Sequence, residues 1–171
     1  LNPWNVDALK INEEESGKKV YTILQLRVHP AIIALRKKLE NNNQKKKIEL
    51  SYVTSRGNWY LTSWKGQIEK SGGIATNFDM LIWLFGSVLR SEVHLKKPDK
   101  MAGYFELENA QVKWFLSIDH QDLPNEIKAK NQATFRSIII DGAEIEFSEG
   151  FTDLHTLVYQ DILSGKGYGL M

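Results

Sequence analysis

Cysteine is missing altogether from the 171-residue chain. Its absence excludes disulfides and thiolate metal sites, and fits a cytoplasmic protein. A charge excess is missing too. The 22 basic side chains against 21 acidic ones leave +1 at pH 7, so nothing in bulk electrostatics draws the chain to nucleic acid or an anionic membrane. No apolar run approaches the roughly 20 residues of a membrane span, and a signal peptide is not expected. The histidines at 29, 94, 120 and 155 are scattered, none at ligand spacing from another histidine or a carboxylate, which argues against a metal centre. An initiator methionine is also lacking; the chain opens at Leu1, as a fragment or processed product would. The glycine-rich run Ser164-Gly-Lys-Gly-Tyr-Gly169 follows a helix instead of joining a strand to a helix N-terminus. It reads as a tail, so the chain carries no dinucleotide fingerprint of its own. Neither an internal repeat nor a low-complexity segment is found.

What is present is ordinary for a globular protein: 25% charged and 42% apolar residues, in a length suited to one domain with a sizeable core. Asn2 as N-cap and Pro3 as first helical residue predict a helix from Pro3 to about Glu15, ending near Gly17. The β-branched and aromatic run Val20 to Leu26 predicts a strand. Pro30 opens a second helix through Asn41, with Ile32, Ile33, Leu35 and Leu39 on its apolar face. A lysine-rich turn follows, read as a solvated loop. Strands are then predicted at Ile48–Val53, Val88–Leu95, Met101–Leu107, Gln111–Asp119, Thr134–Ile140 and Glu144–Phe147, with Asp141-Gly142 as a two-residue hairpin turn. A last amphipathic helix, Phe151–Leu163, turns Leu154, Leu157, Val158 and Ile162 inward. Tight turns make consecutive strands antiparallel neighbours. The fold class is therefore α+β: an open, mostly antiparallel β-sheet covered on one side by helices, with 1-171 forming a single domain.

The stretch from Ser55 to Gly86 organises the rest. It collects Trp59, Tyr60, Trp64 and Phe78, three basic residues and the pair Gly72-Gly73 into a segment expected to be loop for most of its length. Exposed rings of this kind are costly unless a ligand or partner covers them. A short apolar helix, Asp79–Phe85, closes it at Gly86. Within this stretch Arg56 offers a planar fork for phosphate or carboxylate, Lys65 a point charge and Tyr60 a ring with a hydroxyl tip. The alternative is that Arg56 and Lys65 pair with Glu69 or solvent. Two glycines allow close backbone approach, and Thr76 and Asn77 would present hydrogen-bonding groups beside a ligand, or simply cap the next helix. Asp153 and His155 open the last helix, where Asp153 could act as a cap and His155 as a ligand contact or a structural histidine.

The pattern Arg-Gly, Trp-Tyr, Ser-Trp-Lys-Gly, Ser-Gly-Gly-Ile-Ala-Thr-Asn, Phe-Asp-Met-Leu resembles the substrate domain of the Gfo/Idh/MocA oxidoreductases. Its nearest branch is the UDP-N-acetylglucosaminuronate dehydrogenases of bacterial surface-polysaccharide (lipopolysaccharide O-antigen) synthesis. The resemblance covers nearly the whole chain. It implies NAD as cofactor, bound mainly by a missing Rossmann domain, with residues 1–17 as the helix linking to it. It also implies a UDP-linked sugar acid as substrate, oxidised at its C3 hydroxyl, and a homo-oligomer (dimer or tetramer) associating through the sheet face, where Phe105, Trp114 and Phe115 lie. No nucleic acid and no membrane enter this picture. Arg56, Tyr60 and Lys65 would hold the charged ends of the substrate, Thr76 and Asn77 would line the sugar, His155 would sit near its nucleotide end, and Gln25 and Arg27 would face the cofactor.

The family's proton-handling groups are a lysine, expected upstream of Leu1, and a histidine about one helical turn after the acidic or amide residue that the glycine pair precedes, a position Asn77 matches. The family segment would read like Asn-Ile-Gly-Val-His-Phe-Phe-Asp, whereas here Asn77 runs directly into Phe78-Asp79. No catalytic residue is thus present in the chain, and the chain alone is expected to be inactive. A true deletion would rotate Met80, Leu81, Leu84 and Phe85 against the glycine loop; Asn77 and Phe78 are therefore expected not to be adjacent, with the histidine between them. A different sugar or polyol as substrate, or a sugar-nucleotide-binding or oligomerisation module without chemistry, are the alternatives.

Overall fold

The computed structural model describes residues 3–40, 44–63, 76–145, 147 and 150–165. They fall into two compact units, one made of Leu1–His29 with Phe151–Met171, the other of Pro30–Gly150.

The larger unit is built on six strands: β1 (Lys46–Thr54), β2 (Val88–Lys96), β3 (Lys100–Leu107), β4 (Ala110–Ser117), β5 (Thr134–Ile140) and β6 (Ala143–Ile145). They lie side by side in the order β2-β3-β4-β1-β5-β6. β1 pairs with β4 in parallel, Leu50 opposite Trp114, and the other pairings are antiparallel. This is the α+β, mostly antiparallel sheet expected from the pattern. The parallel pair follows from chain length: β1 and β4 are far apart in sequence, and a parallel partner needs a long crossover. Asp141 and Gly142 both have positive φ (51° and 85°), the conformation a type I′ hairpin turn requires.

Period-two alternation divides the sheet into two faces. Ile48 and Leu50 of β1, Val112, Trp114 and Leu116 of β4, and Ile138 of β5 are buried on one of them. Helix α4 (Thr76–Phe85) docks there: the Phe78 ring meets Phe105 at 4.8 Å and Trp114 at 5.2 Å between centroids. Met80, Leu81 and Phe85 of α4 are fully buried, each stabilising the unit by about 1.5–3 kcal/mol. Gly86 ends the helix at φ +89°, its N–H donating to the Ile82 carbonyl at 2.9 Å. A Cβ there would sit 2.1 Å from Glu108 Oε2, so glycine is required twice over, by φ and by space. Phe105 and Trp114 therefore belong to the covered face. Their assignment to a subunit-contact surface is corrected; only Phe115, one residue on, faces the other way.

Helix α2 (Pro30–Leu39) buries Ile32 and Leu35. Three further differences have local causes. The Ser55–Gly86 stretch contains a short helix, α3 (Asn58–Thr62), where loop was expected. Helix α4 begins at Thr76, earlier than Asp79. A 3-10 turn at His120–Asp122 and a short helix α5 (Asn125–Ala129) fill the connection from β4 to β5; both are too short for periodicity to reveal.

The smaller unit holds α1 (Pro3–Ser16), a 3-10 turn (Gln25–Val28) and α6 (Leu154–Leu163). The first helix ends where Gly17 adopts φ +65°, as expected. The strand expected at Val20–Leu26 is not formed. The Arg27 N–H instead donates to the Leu24 carbonyl at 3.0 Å, closing the 3-10 turn, and Ile23 and Val28 pack with Leu154, Val158 and Ile162. Leu157, expected inward, is 40% exposed. The buried stripe runs through Leu154, Val158 and Asp161, and 157 falls on its flank at helical spacing.

Candidate functional site

β1 delivers the chain to the site. Beyond Thr54 the backbone leaves the sheet while still tied to it: Ser55 N–H donates to the Ala133 carbonyl at 2.7 Å and Arg56 N–H to the Ile118 carbonyl at 3.0 Å. Gly57 then caps α3, and the Tyr60 N–H returns to the Gly57 carbonyl at 2.9 Å. A side chain at Gly57 would bring a Cβ within 2.9 Å of the Trp59 indole, so the turn is tight because that ring folds back over it. At the helix end the Ser63 hydroxyl donates to the Tyr60 carbonyl at 2.7 Å.

This geometry brings two of the expected residues together. Arg56 lies exposed with its Cζ 5.4 Å from the centroid of the Tyr60 ring. Tyr60 is only 4% exposed, and Trp59, edge-on to it at 5.6 Å, is 63% exposed. A fixed ring thus holds a cation whose guanidinium fork still faces solvent, an arrangement suited to an anionic ligand. The large exposed indole beside it would be covered by the same ligand.

Asn77 stands in the first turn of α4 and is 2% exposed. Thr76 opens the same helix; its side chain, Lys65 and Gly72-Gly73 lie outside the described residues. The chain runs unbroken through Asn77 and Phe78, consecutive residues of α4, so the expected interruption there is corrected. Phe78 locks the rotation of the helix by inserting between Phe105 and Trp114. None of the residues of α4 is a histidine.

The remaining expected residues belong to the smaller unit. Gln25 and Arg27 are half-buried on the 3-10 turn, not on a strand. That turn packs against α6, where His155 is exposed. His29 is buried, its ring 5.0 Å from Phe151. Asp153 is the N-cap of α6 in a left-handed conformation (φ 61°) without a side-chain capping hydrogen bond.

Two features at the Arg56 end of the sheet carried no signal in the sequence, because strand register and loop closure create them. Tyr52 and Arg136 are opposite each other on β1 and β5, and the Arg136 Nη2 donates to the Tyr52 hydroxyl at 3.3 Å. Beside Ile118, Lys100 Nζ reaches Asp122 at 2.5 Å and Asp119 at 3.3 Å, while the Ser117 hydroxyl donates to Asp122 at 2.6 Å. The Asp122 hydrogen bond is the main cause holding the Lys100 ammonium above its ordinary range. The Gln121 backbone N–H, then Lys100, hold the Asp119 carboxyl below the usual range. The network fastens the loops from which Arg56 hangs. Among the described residues no group of three or more histidines or carboxylates is arranged to hold a metal ion, and no helix is long and apolar enough to cross a membrane.

Residues 36–121 match the oxidoreductase family, C-terminal alpha/beta domain, of the Gfo/Idh/MocA type. Two crystal structures of the WlbA (WbpB) dehydrogenase from Thermus thermophilus are similar over nearly the whole chain. The one in complex with NAD and UDP-GlcNAcA is 50% identical over 99% of this chain, with a TM-score of 0.87. The one in complex with NAD and alpha-ketoglutarate is 51% identical over 98%, with the same TM-score. This chain spans 56% of the length of each of those chains.

Proposed function

We propose that this chain, which belongs to the Gfo/Idh/MocA oxidoreductase family as its C-terminal alpha/beta domain, is the substrate-binding portion of an NAD-dependent dehydrogenase acting on a UDP-linked N-acetylhexosaminuronic acid. The setting we infer is cytoplasmic sugar synthesis for a surface polysaccharide such as O-antigen. What supports the reading is the likeness to a dehydrogenase solved with both NAD and UDP-GlcNAcA. On the chain itself, Arg56 stacked on buried Tyr60 is the observation that carries it. The fork would take a diphosphate or carboxylate oxygen pair, Trp59 and Lys65 would flank it, and Thr76 and Asn77 would line the sugar. His155 would approach the nucleotide end. The single domain 1–171 would associate as a dimer or tetramer through the open sheet face that carries Lys113 and Phe115.

On this reading the C3 carbon would give up its hydride to NAD while a base takes the proton of the C3 hydroxyl. The described residues do not form a cradle for a dinucleotide: the turn from β1 into α3 contains one glycine, Gly57, and α3 is 5 residues long. Gln25 and Arg27 could at most touch the cofactor's edge, so the cradle would come from outside this chain.

A second reading is favoured by the continuity of α4 through Asn77 and Phe78 without a histidine. On it, the chain binds the sugar nucleotide and performs no chemistry. Calorimetric titration with UDP-GlcNAcA, run beside an assay of NAD reduction in the protein joined to its dinucleotide-binding half, separates the readings. Binding with turnover supports the dehydrogenase; binding without it supports the second reading; absence of both overturns each. Arg56→Ala should weaken sugar-nucleotide binding by about 1.5–3 kcal/mol while leaving stability unchanged.

A further inference from the structure

β2 is an outer strand of the sheet and runs 9 residues, Val88–Lys96, with no neighbour on its far side among the described residues. Outer strands are templates for pairing unless they are blunted. This one is bulged between Val88 and Arg90 and again between Val93 and Leu95. The bulges bracket a regular run, Arg90-Ser-Glu-Val93, and do not interrupt it. Val93 ends the run and is 55% exposed, and Leu89, the extra residue of the first bulge, is 63% exposed.

The charges in the run are self-complementary. Arg90 and Glu92 lie two residues apart, on one side of the strand, and already touch, while His94 Nε2 reaches Glu92 at 3.0 Å. Two copies of β2 can meet antiparallel about a two-fold axis normal to the sheet, which keeps the helices of both copies on one side. Residues then face across the axis in same-parity pairs. With Ser91 on the axis, Arg90 meets Glu92 of the second copy twice. Slipping the register one step either way sets Glu92 against Glu92 or Arg90 against Arg90. Like charges directly opposite are destabilising and opposite ones stabilising, so a single register is selected.

We propose that β2 is a self-association edge, pairing antiparallel with β2 of a second copy of this chain with Ser91 at the two-fold axis, so that two sheets become one continuous sheet. The pairing is independent of the substrate reading and of association through the open sheet face. If both contacts form, they generate a tetramer from two kinds of dimer.

Charge exchange tests the register. In analytical ultracentrifugation, Arg90→Glu should weaken self-association at least about tenfold and remove one level of assembly, because both ion pairs turn repulsive. Adding Glu92→Arg to that variant should restore it, since each charge again faces its opposite. Because the chain contains no cysteine, Ser91→Cys gives a second readout. Directly opposite residues lie about 4.5–5.5 Å apart between Cα atoms, within disulfide range, so mild oxidation should yield a covalent dimer from Ser91→Cys and none from Val93→Cys. Wild-type assembly in Arg90→Glu, failure of the double exchange to restore association, or cross-linking through position 93 instead of 91 would each overturn the proposal.

Discussion

Lys113 and Trp114 are neighbours on β4 that face opposite sides of one sheet, and they live in different solvents. Trp114 is buried between Phe78 and Phe105, its ring lying on Gly103 of the adjacent strand, with its Nε1 lacking a hydrogen-bond partner. Lys113 is exposed, lined up with Gln111 and Glu49 on an open cavity of about 790 Å³. The same strand thus serves packing on one side and water, or a second protein surface, on the other. Shape is strictly constrained on the first and charge is freely chosen on the second. Where α3 and α4 leave the sheet, these two regimes meet, and Arg56 over Tyr60 shows both: a ring fixed by burial and a charge left to solvent.

The largest expected effect breaks the covered side. Trp114→Ala should destabilise the protein by about 3–5 kcal/mol in denaturant unfolding, with some of the loss offset because an unpartnered N–H leaves with the ring. Lys113→Ala, next door, should stay within about 0.5 kcal/mol; a comparable loss at both positions would mean the faces are misassigned. Gly103→Ala comes next. Its Cβ would fall 2.1 Å from the Glu92 carbonyl oxygen and 2.5 Å from the Trp114 ring, and overpacking of this kind costs about 1–3 kcal/mol, read as a lowered midpoint at unchanged slope.

Smaller still is the contribution of the Lys100 network. The Asp119 carboxyl is held below its ordinary range in the folded state by the Gln121 N–H and Lys100. Its contribution is therefore present above the unfolded value of about 3.9 and is lost as pH falls through the lower folded value. Asp119→Asn should lower stability at neutral pH and flatten its fall on acidification below about pH 4, the two proteins converging at low pH. An acid limb unchanged by the substitution would remove Asp119 from the account.

Much of this was legible in the chain. Pro3, Pro30, Gly86 and Asp141-Gly142 announced helix starts, a helix stop and a hairpin because each acts through its own backbone conformation. Alternation along β1 and β4 placed Leu50 and Val112 inside for the same local reason. The proximity of Arg56 and Tyr60 was legible through their short spacing; their role in binding, like that of Thr76 and Lys65, stays a proposal.

What local rules could not supply was decided by partners distant in sequence. Val20–Leu26 has the composition of a strand, yet contact of Ile23 and Val28 with Leu154 and Val158 selects a 3-10 turn at Gln25–Val28 instead. Phe105, Trp114 and Phe115 look alike as aromatic residues of a sheet. Only the docking of Phe78 says that two of them are covered and the third is not. Tyr52 meets Arg136, and Lys100 meets Asp122, through strand register and loop closure. Composition and spacing thus determined the elements and their inward faces, since those follow from one residue and its near neighbours. Tertiary structure decided which face is covered, which edge is left open and which charges meet, because each depends on chain segments that only the folded sheet brings together.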